Sequence, residues 1–143
     1  NFYHFPCRWA RTFPGRFLTH VLDPRIEWII PRIGLGGFDP RLGKGYYGVG
    51  AYFAEKASYS LAYEYRGKPG VKQMFLASVL CGYSRVYGTT TVTTLKRAPD
   101  LPTGHPCYPG LYDSVQGGPH SGSLMWIVYH SDQAYPRYLY TYR

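Results

Sequence analysis

A short strand bounded by glycines is the feature that most restricts how this chain folds. Residues Gly48 to Ala54 (GVGAYFA) carry one aromatic side chain, Tyr52, near the end of an extended segment. The next segment, Glu55 to Tyr65, has the composition of a helix, and Ser60 and Tyr63 share one of its faces because they are three residues apart. A strand end and a helix face then present two rings and a hydroxyl to one cleft, which suits a planar ring that bears an amide. Packing of both aromatic rings in the core is the alternative interpretation.

Length and composition predict one domain built mainly of short strands. The chain has 143 residues, enough to bury roughly 70% of the surface of its unfolded form. Aromatic residues make up 18% of it, with 16 tyrosines, which favours strands and Gly/Pro-rich turns over a helical bundle. The chain begins with Asn and shows no signal peptide or apolar span. We therefore expect residues 1–143 to be a single domain cut from a longer protein, without a membrane partner.

Charge and cysteine content indicate which binding partners and which cellular compartment to expect. Sixteen Lys and Arg against eight Asp and Glu give a net charge of +8, which favours nucleic acids, acidic proteins or a phosphate-bearing cofactor as partners. The basic residues are scattered, so no motif supports nucleic-acid binding. Cys7, Cys81 and Cys107 are far apart and form no CxxC. We expect neither a disulfide framework nor a metal site, and an intracellular location in the nucleus or cytoplasm.

The order of the elements predicts the α+β class. A strand, a short helix that ends before Pro31 and a mobile glycine-rich loop come first, and strands separated by a second long loop follow. The predicted bounds are a strand over Phe17–Leu22, a helix over 23–30, a loop over Gly34–Gly50, a strand over Gln73–Cys81, a loop over Lys96–Gly110, and strands over Leu124–Tyr129 and Tyr138–Tyr142.

Five sequence blocks, taken together, resemble the catalytic domain of the poly(ADP-ribose) polymerase family, the diphtheria-toxin-like ADP-ribosyltransferases. The resemblance covers about Phe17 to Tyr142 and is strongest to the mono-ADP-ribosylating branch. It implies two packed, mainly antiparallel sheets with flanking helices and a cleft for NAD. The blocks are RFLTHVLDP from Arg16, GVGAYFA from Gly48, ASYS from Ala57, YDS from Tyr112, and SLMWIVY from Ser123 followed by QAYP from Gln133.

The resemblance also implies a role for each matching residue toward NAD. His20 binds the adenosine-side ribose, and Tyr52 packs against the nicotinamide-side ribose and ring. Ser60 binds the carboxamide, and Tyr63 stacks on the other face of the nicotinamide. Val21 stands where the family has Gly, and its backbone remains able to pair with the amide because a strand alternates its side chains. The next position is Leu22 in place of Thr or Ser, which removes a hydroxyl worth about 1 kcal/mol of binding.

The third motif position is Met125, eight residues before Gln133. Polymerising members have Glu there, whereas a thioether is only a weak hydrogen-bond acceptor. The resemblance therefore implies transfer of one ADP-ribose to a protein side chain, the protein itself among the acceptors, with release of nicotinamide and no metal. Arg41 and Lys44, on the glycine-rich loop, are candidates to approach the pyrophosphate, and solvated loop charges are the alternative.

Two further functions remain open on the sequence. The departures at Val21, Leu22 and Met125 also fit an inactive module of the same fold that binds NAD, ADP-ribose or a partner. The positive charge also fits a basic nucleic-acid-binding module, or an enzyme that modifies nucleic-acid ends.

Overall fold

The computed structural model describes residues 16–21, 38–63, 65–68 and 70–143. Strands dominate this part of the chain, and its helical segments are one short α-helix, α1 (Ala57–Ser60), and three 3-10 turns, Pro40–Leu42, Leu61–Tyr63 and Ser131–Gln133. The strands are β1 (Arg16–Val21), β2 (Lys44–Gly45), β3 (Gly48–Val49), β4 (Ala51–Ala54), β5 (Tyr65–Lys68), β6 (Val71–Val79), β7 (Ser84–Gly88), β8 (Ser114–Gly117), β9 (Met125–Val128) and β10 (Ala134–Tyr142).

Eight of the described strands form one mixed sheet in the order β10-β6-β1-β4-β9-β8-β7, with β5 paired to the start of β6. All of its pairs are antiparallel except β7 with β8, which is parallel. The remaining two strands, β2 and β3, form a small hairpin that precedes β4. The α+β class agrees with this arrangement. Continuous backbone pairing joins eight of the ten described strands into one sheet, and β2 with β3 forms a second, two-stranded one, so the two packed sheets implied by the resemblance stay a prediction.

The two faces of the sheet carry separate hydrophobic clusters. Alternation along β9 places Trp126 and Val128 in one cluster, and Met125 and Ile127 in the other. All four residues of β9 are buried, as befits a central strand covered on both sides. On β4 the same alternation sends Phe53 to the first cluster and Tyr52 to the second. We call the second cluster's side of the sheet the Tyr52 face.

The buried amide of Gln133 ties the end of β9 to the far end of β6. Its Nε2 donates to the carbonyl oxygens of Asp113 (2.7 Å) and Leu80 (3.3 Å). Its Oε1 accepts from the backbone N–H groups of Tyr129 (3.3 Å) and His130 (3.1 Å). One side chain thus satisfies four backbone groups where the chain turns from β9 into β10, and this stabilises the strand order around the Tyr52 face.

Several predicted bounds need correction. The helix expected over Glu55–Tyr65 is reduced to α1 and one 3-10 turn, because Tyr65 already pairs with Gln73 in the sheet and no side chain caps the helix start. Within the loop expected over Gly34–Gly50, the described residues form a 3-10 turn and the β2–β3 hairpin. Strands β7 and β8 were not predicted. The helix expected over 23–30 lies outside the described residues.

The cysteines and the helices bear on the expected cellular compartment and on the membrane. Cys81 is a buried thiol, whereas Cys107 is disulfide-bonded, which departs from the expectation that the cysteines form no disulfide framework. No helix in the described ranges is long and apolar enough to span a membrane.

Candidate functional site

Tyr52 lies on β4 directly beneath the β2–β3 hairpin. A Cβ added at Gly45 would lie 3.1–3.3 Å from the Tyr52 ring and hydroxyl, so the hairpin backbone rests on the ring. The Tyr52 hydroxyl donates to the carbonyl oxygen of Gly48 (2.7 Å) and accepts from the backbone N–H of Tyr47 (2.9 Å). Because both bonds are made within the turn, Tyr52 fixes the hairpin against the sheet as well as lining the Tyr52 face.

Two other tyrosines extend this network, and the sequence did not reveal them. Tyr47 is fully buried, and its hydroxyl donates to the carbonyl oxygen of Gly88 (3.1 Å). The Tyr129 hydroxyl donates to the carbonyl oxygen of Tyr47 (3.1 Å). The Tyr47 ring stacks on Tyr87 with centroids 6.1 Å apart. The only sequence signal for Tyr47 was its place directly before a glycine of the strand motif, which does not separate it from the exposed Tyr46.

Burial keeps these phenols protonated. Burial raises the pKa of Tyr52 to about 12. Burial also raises the pKa of Tyr129, and the neighbouring phenols of Tyr52 and Tyr87 add to that shift. The two hydroxyls therefore remain hydrogen-bond donors to the hairpin throughout the neutral range.

We expect Tyr52→Phe to lower the free energy of unfolding by about 1–3 kcal/mol, because it leaves two backbone groups of the turn without their partner. It should also flatten the alkaline loss of stability. A phenol whose pKa rises on folding stabilises the folded state fully below its unfolded pKa of about 10 and loses that contribution as pH rises toward the folded value of about 12.

Urea unfolding of both proteins between neutral pH and pH ~11.5 measures the two effects. Tyr108→Phe is the matched control, since Tyr108 is an exposed tyrosine on the long loop before β8. A Tyr52→Phe profile that stays parallel to the wild-type profile up to that pH would show that the Tyr52 hydroxyl does not hold the hairpin.

Met125 lies on β9 next to Tyr52 on the same face of the sheet. The register pairs Met125 with Ala54 and Ile127 with Tyr52, and Met125 is only 3% exposed. Its cluster contains Tyr47 and Ile127, with Tyr52 packed against it. Met125, which the resemblance matches to the Glu of polymerising members, is thus an apolar side chain in apolar surroundings.

We expect Met125→Glu to destabilise the fold by about 2 kcal/mol at pH 7, since the new carboxyl group enters a nearly dry cluster. Burial would raise the pKa of that carboxyl group, so the loss should be smallest at acidic pH and should grow as pH rises through the raised value. Met125→Leu keeps the volume and should cost less than about 1.5 kcal/mol. Urea unfolding at pH 4.5 and pH 7.5 makes the comparison, and equal stability of the Glu and Leu variants at both values would contradict the burial of Met125.

The helical segment that carries Ser60 packs on the strands that carry His20 and Tyr52. Helix α1 contacts both β1 and β4, and Ser60 at its end is 2% exposed. The backbone of Tyr63 follows in the 3-10 turn, three residues further on. His20 lies opposite Phe75, a residue of the first cluster, whereas its neighbour Thr19 lies opposite Ala54 on the Tyr52 face. The register therefore places position 20 on the other face of the sheet from Tyr52. The side chains of His20, Val21 and Tyr63, and the whole of Leu22, lie outside the described part of the structure, so their expected roles remain predictions.

Arg41 is held by Asp39. Its Nε and Nη2 donate to the two carboxylate oxygens at 2.9 and 2.7 Å, and Asp39 also accepts from the backbone N–H of Arg41 at 3.0 Å. These hydrogen bonds from the Arg41 side chain hold the pKa of Asp39 below its ordinary value. The Arg41 side chain is 87% exposed. Because its guanidinium is bonded to Asp39, a pyrophosphate would have to compete with that carboxylate for it. Lys44 is exposed on β2.

The described ranges hold no group of three or more His, Cys, Asp or Glu side chains placed to bind a metal ion. The second cluster gives the Tyr52 face the rings of Tyr47, Tyr52 and Tyr129 and the thioether of Met125.

Comparison with known proteins gives two informative relatives, although no protein-family model matches the chain. A protein named "Probable poly [ADP-ribose] polymerase" of Dictyostelium discoideum is 39% identical over 112 residues, which is 75% of this chain. The human protein mono-ADP-ribosyltransferase PARP14 is 32% identical over 119 residues, or 80% of this chain. The chain spans 28% and 6% of the lengths of these two proteins. The agreement of both names with the five sequence blocks supports membership of the poly(ADP-ribose) polymerase family.

Proposed function

We propose that this domain is an NAD-dependent mono-ADP-ribosyltransferase that moves one ADP-ribose to a protein side chain and releases nicotinamide. One observation carries the proposal: Tyr52 and Met125 are diagonal neighbours on one face of two paired strands, with the helix that carries Ser60 packed against the same sheet. The aromatic residues Tyr52 and Tyr63 suit a nicotinamide ring, and Met125 supplies no carboxylate. The names of the two relatives support the same class of enzyme.

The reaction asks little acid–base chemistry of the protein. The bond between the nicotinamide nitrogen and the ribose carbon breaks, nicotinamide leaves as a neutral molecule, and an oxygen of the acceptor forms the new bond to that carbon. A carboxylate acceptor attacks without losing a proton. The work of the protein is to hold the nicotinamide, fix the ribose and exclude water until the acceptor arrives. In this proposal Tyr52 and Tyr63 hold the ring, and Ser60 and the Val21 backbone bind its amide. His20 would have to reach the adenosine-side ribose from a position whose strand partner, Phe75, lies in the first cluster.

The hairpin network explains how Tyr52 serves in such a site. Its hydroxyl is already bonded to Tyr47 and Gly48, so the ring is oriented before any ligand binds. A ring that is already held in place loses little conformational entropy when a ligand stacks on it. It therefore binds the ligand more tightly than a freely rotating ring would.

We expect Tyr63→Ala to weaken binding of a benzamide-like ligand several-fold, because stacking on an aromatic ring contributes about 1 kcal/mol. Calorimetric titration of the whole chain measures the affinity. Leu61→Ala is the matched control, since Leu61 is exposed on the same 3-10 turn. An unchanged affinity in a folded Tyr63→Ala protein removes Tyr63 from the proposed site.

A second candidate is an inactive module of the same family that binds NAD or ADP-ribose without turnover. The pairing of Arg41 with Asp39 favours it, because the one guanidinium proposed for the pyrophosphate is already occupied. The replacements at Val21, Leu22 and Met125 point the same way. Incubation with labelled NAD separates the candidates: label on protein supports transfer, whereas bound NAD without label supports the inactive module.

A further inference from the structure

The last strand, β10, carries a row of tyrosines on one face of the sheet. Antiparallel pairing with β6 places them opposite alternate β6 residues, and residues directly opposite in such a pair share a face. A register shift after Pro136 brings Tyr135 onto the same face as the later tyrosines. We call this row the tyrosine face: Tyr135, Tyr138, Tyr140 and Tyr142, opposite Ser78, Leu76, Met74 and Lys72.

The tyrosine face is open to solvent. Tyr135, Tyr138 and Tyr140 are 64%, 61% and 55% exposed, although β10 lies at the edge of the sheet and pairs only with β6 among the described strands. Single exposed aromatic residues are common on protein surfaces, but three in one row on one strand are not. The rings of Tyr138 and Tyr140 are 6.4 Å apart and tilted by 50°, so they do not cover one another.

The surroundings of the tyrosine face are basic. Strands β6 and β10 contain Lys72 and Arg137 but no Asp or Glu, and Arg143 follows β10. The Arg137 guanidinium lies 5.4 Å from the centre of the Tyr135 ring, and its Nε donates to the hydroxyl of Ser78 (2.9 Å). In the part of the chain that is described, the ion pairs involve Arg41 and Arg97 but not Arg137.

We propose that the tyrosine face binds single-stranded nucleic acid, with bases stacked on Tyr138 and Tyr140 and a phosphate bound by Arg137. Exposed aromatic rings interleaved with cations are the arrangement that holds single strands, since every base has a flat face to stack. A duplex hides those faces inside its stack, so it could use only the cations. An acidic peptide would pair with the charge but would leave the rings without flat partners. The register places the tyrosine face on the same side of the sheet as Tyr52, three strands away from β4, and nucleic-acid binding there goes beyond the transfer reaction.

The test uses the whole chain and a fluorescein-labelled single-stranded oligothymidine, with binding followed by anisotropy at several salt concentrations. Tyr138→Ala and Tyr140→Ala should each weaken binding by about 5-fold or more, whereas Tyr138→Phe and Tyr140→Phe keep the ring and should bind like wild type. Tyr108→Ala, at an exposed tyrosine outside the tyrosine face, is the control and should change nothing. Arg137→Gln should reduce the salt slope by about 0.7.

Other outcomes overturn the proposal. Equal affinity for single strand and duplex, or equal loss in the Tyr108→Ala control, would reduce the interaction to nonspecific charge. Tyrosine-dependent binding to phosphatidylserine vesicles or to an acidic Glu/Tyr copolymer, without binding to the oligonucleotide, would assign the face to a membrane or a protein. Thermal unfolding of each variant excludes loss of the fold as the cause. None of these readouts requires NAD, so failure here leaves the proposed transferase activity untouched.

Discussion

Gly48→Ala is expected to destabilise the fold by about 4 kcal/mol. This figure is the sum of the costs of left-handed backbone strain, overpacking and one lost hydrogen bond. Gly48 has a φ of +77°, where a side chain is strained. A Cβ at this position would also collide with the backbone carbonyl of Leu95. That carbonyl accepts from the Val49 N–H at 2.8 Å, so moving it away breaks the bond that joins the hairpin to the loop after β7. The same shift disturbs the carbonyl of Gly48 that binds the Tyr52 hydroxyl.

Gly122→Ala separates strain from collision. Gly122 has nearly the same φ, +76°, but nothing lies within 4 Å of an added Cβ. It should therefore lose only about 1–2 kcal/mol from left-handed strain. Urea unfolding of the two variants gives the difference, which we expect to be at least about 2 kcal/mol. Equal losses would mean that the packing of the hairpin on Leu95 contributes nothing.

NAD-dependent modification by this domain is expected to stop after one ADP-ribose. Elongation needs a group that accepts a hydrogen bond from the incoming ribose hydroxyl and raises its nucleophilicity. At Met125 the group is a thioether, 3% exposed in an apolar cluster, which can do this only weakly. Loss of a general base typically costs ~100-fold or more in rate, enough to prevent a second transfer on the time scale of the first.

The first transfer does not suffer in the same way. A Glu or Asp acceptor brings its own negative charge to the ribose carbon, so it needs no base from the enzyme. A neutral ribose hydroxyl brings no negative charge, so it does need a base. With Met125 in place of a base, a carboxylate acceptor can therefore receive one ADP-ribose, whereas the ribose hydroxyl of that product cannot receive a second.

Much of the sheet followed from local sequence, because its central strands have strong patterns. The motif around Tyr52 and the apolar run around Ile127 each predicted a strand, and both became neighbours in the sheet. Strands β7 and β8 were missed because SRVYG and SVQG are short, polar and glycine-ended, like the turns around them. Their strand geometry depends on pairing with each other and with β9, which no local pattern reveals.

Strand alternation was enough to predict which face of the sheet Tyr52 and Met125 occupy. It could not predict the contacts that loop residues such as Arg41 make. Tyr52 and Met125 were predicted separately, and the register of β4 with β9 then places them on one face. The turn contact between Arg41 and Asp39 was not foreseen, although Asp-Pro-x is a common way to start a helical turn and brings the two side chains close. The role of Tyr47 depends on Gly88, 41 residues away, which a sequence cannot place.

We propose that Met125 limits the domain to single transfer, and the length of the product is the measurement that tests this proposal. The domain is incubated with labelled NAD, the modified protein is digested, and the ADP-ribose units on each modified side chain are counted by mass spectrometry. We expect one unit per side chain and a discrete band on a gel. A ladder of long polymer would contradict the claim, and NAD binding without any label would contradict transfer itself.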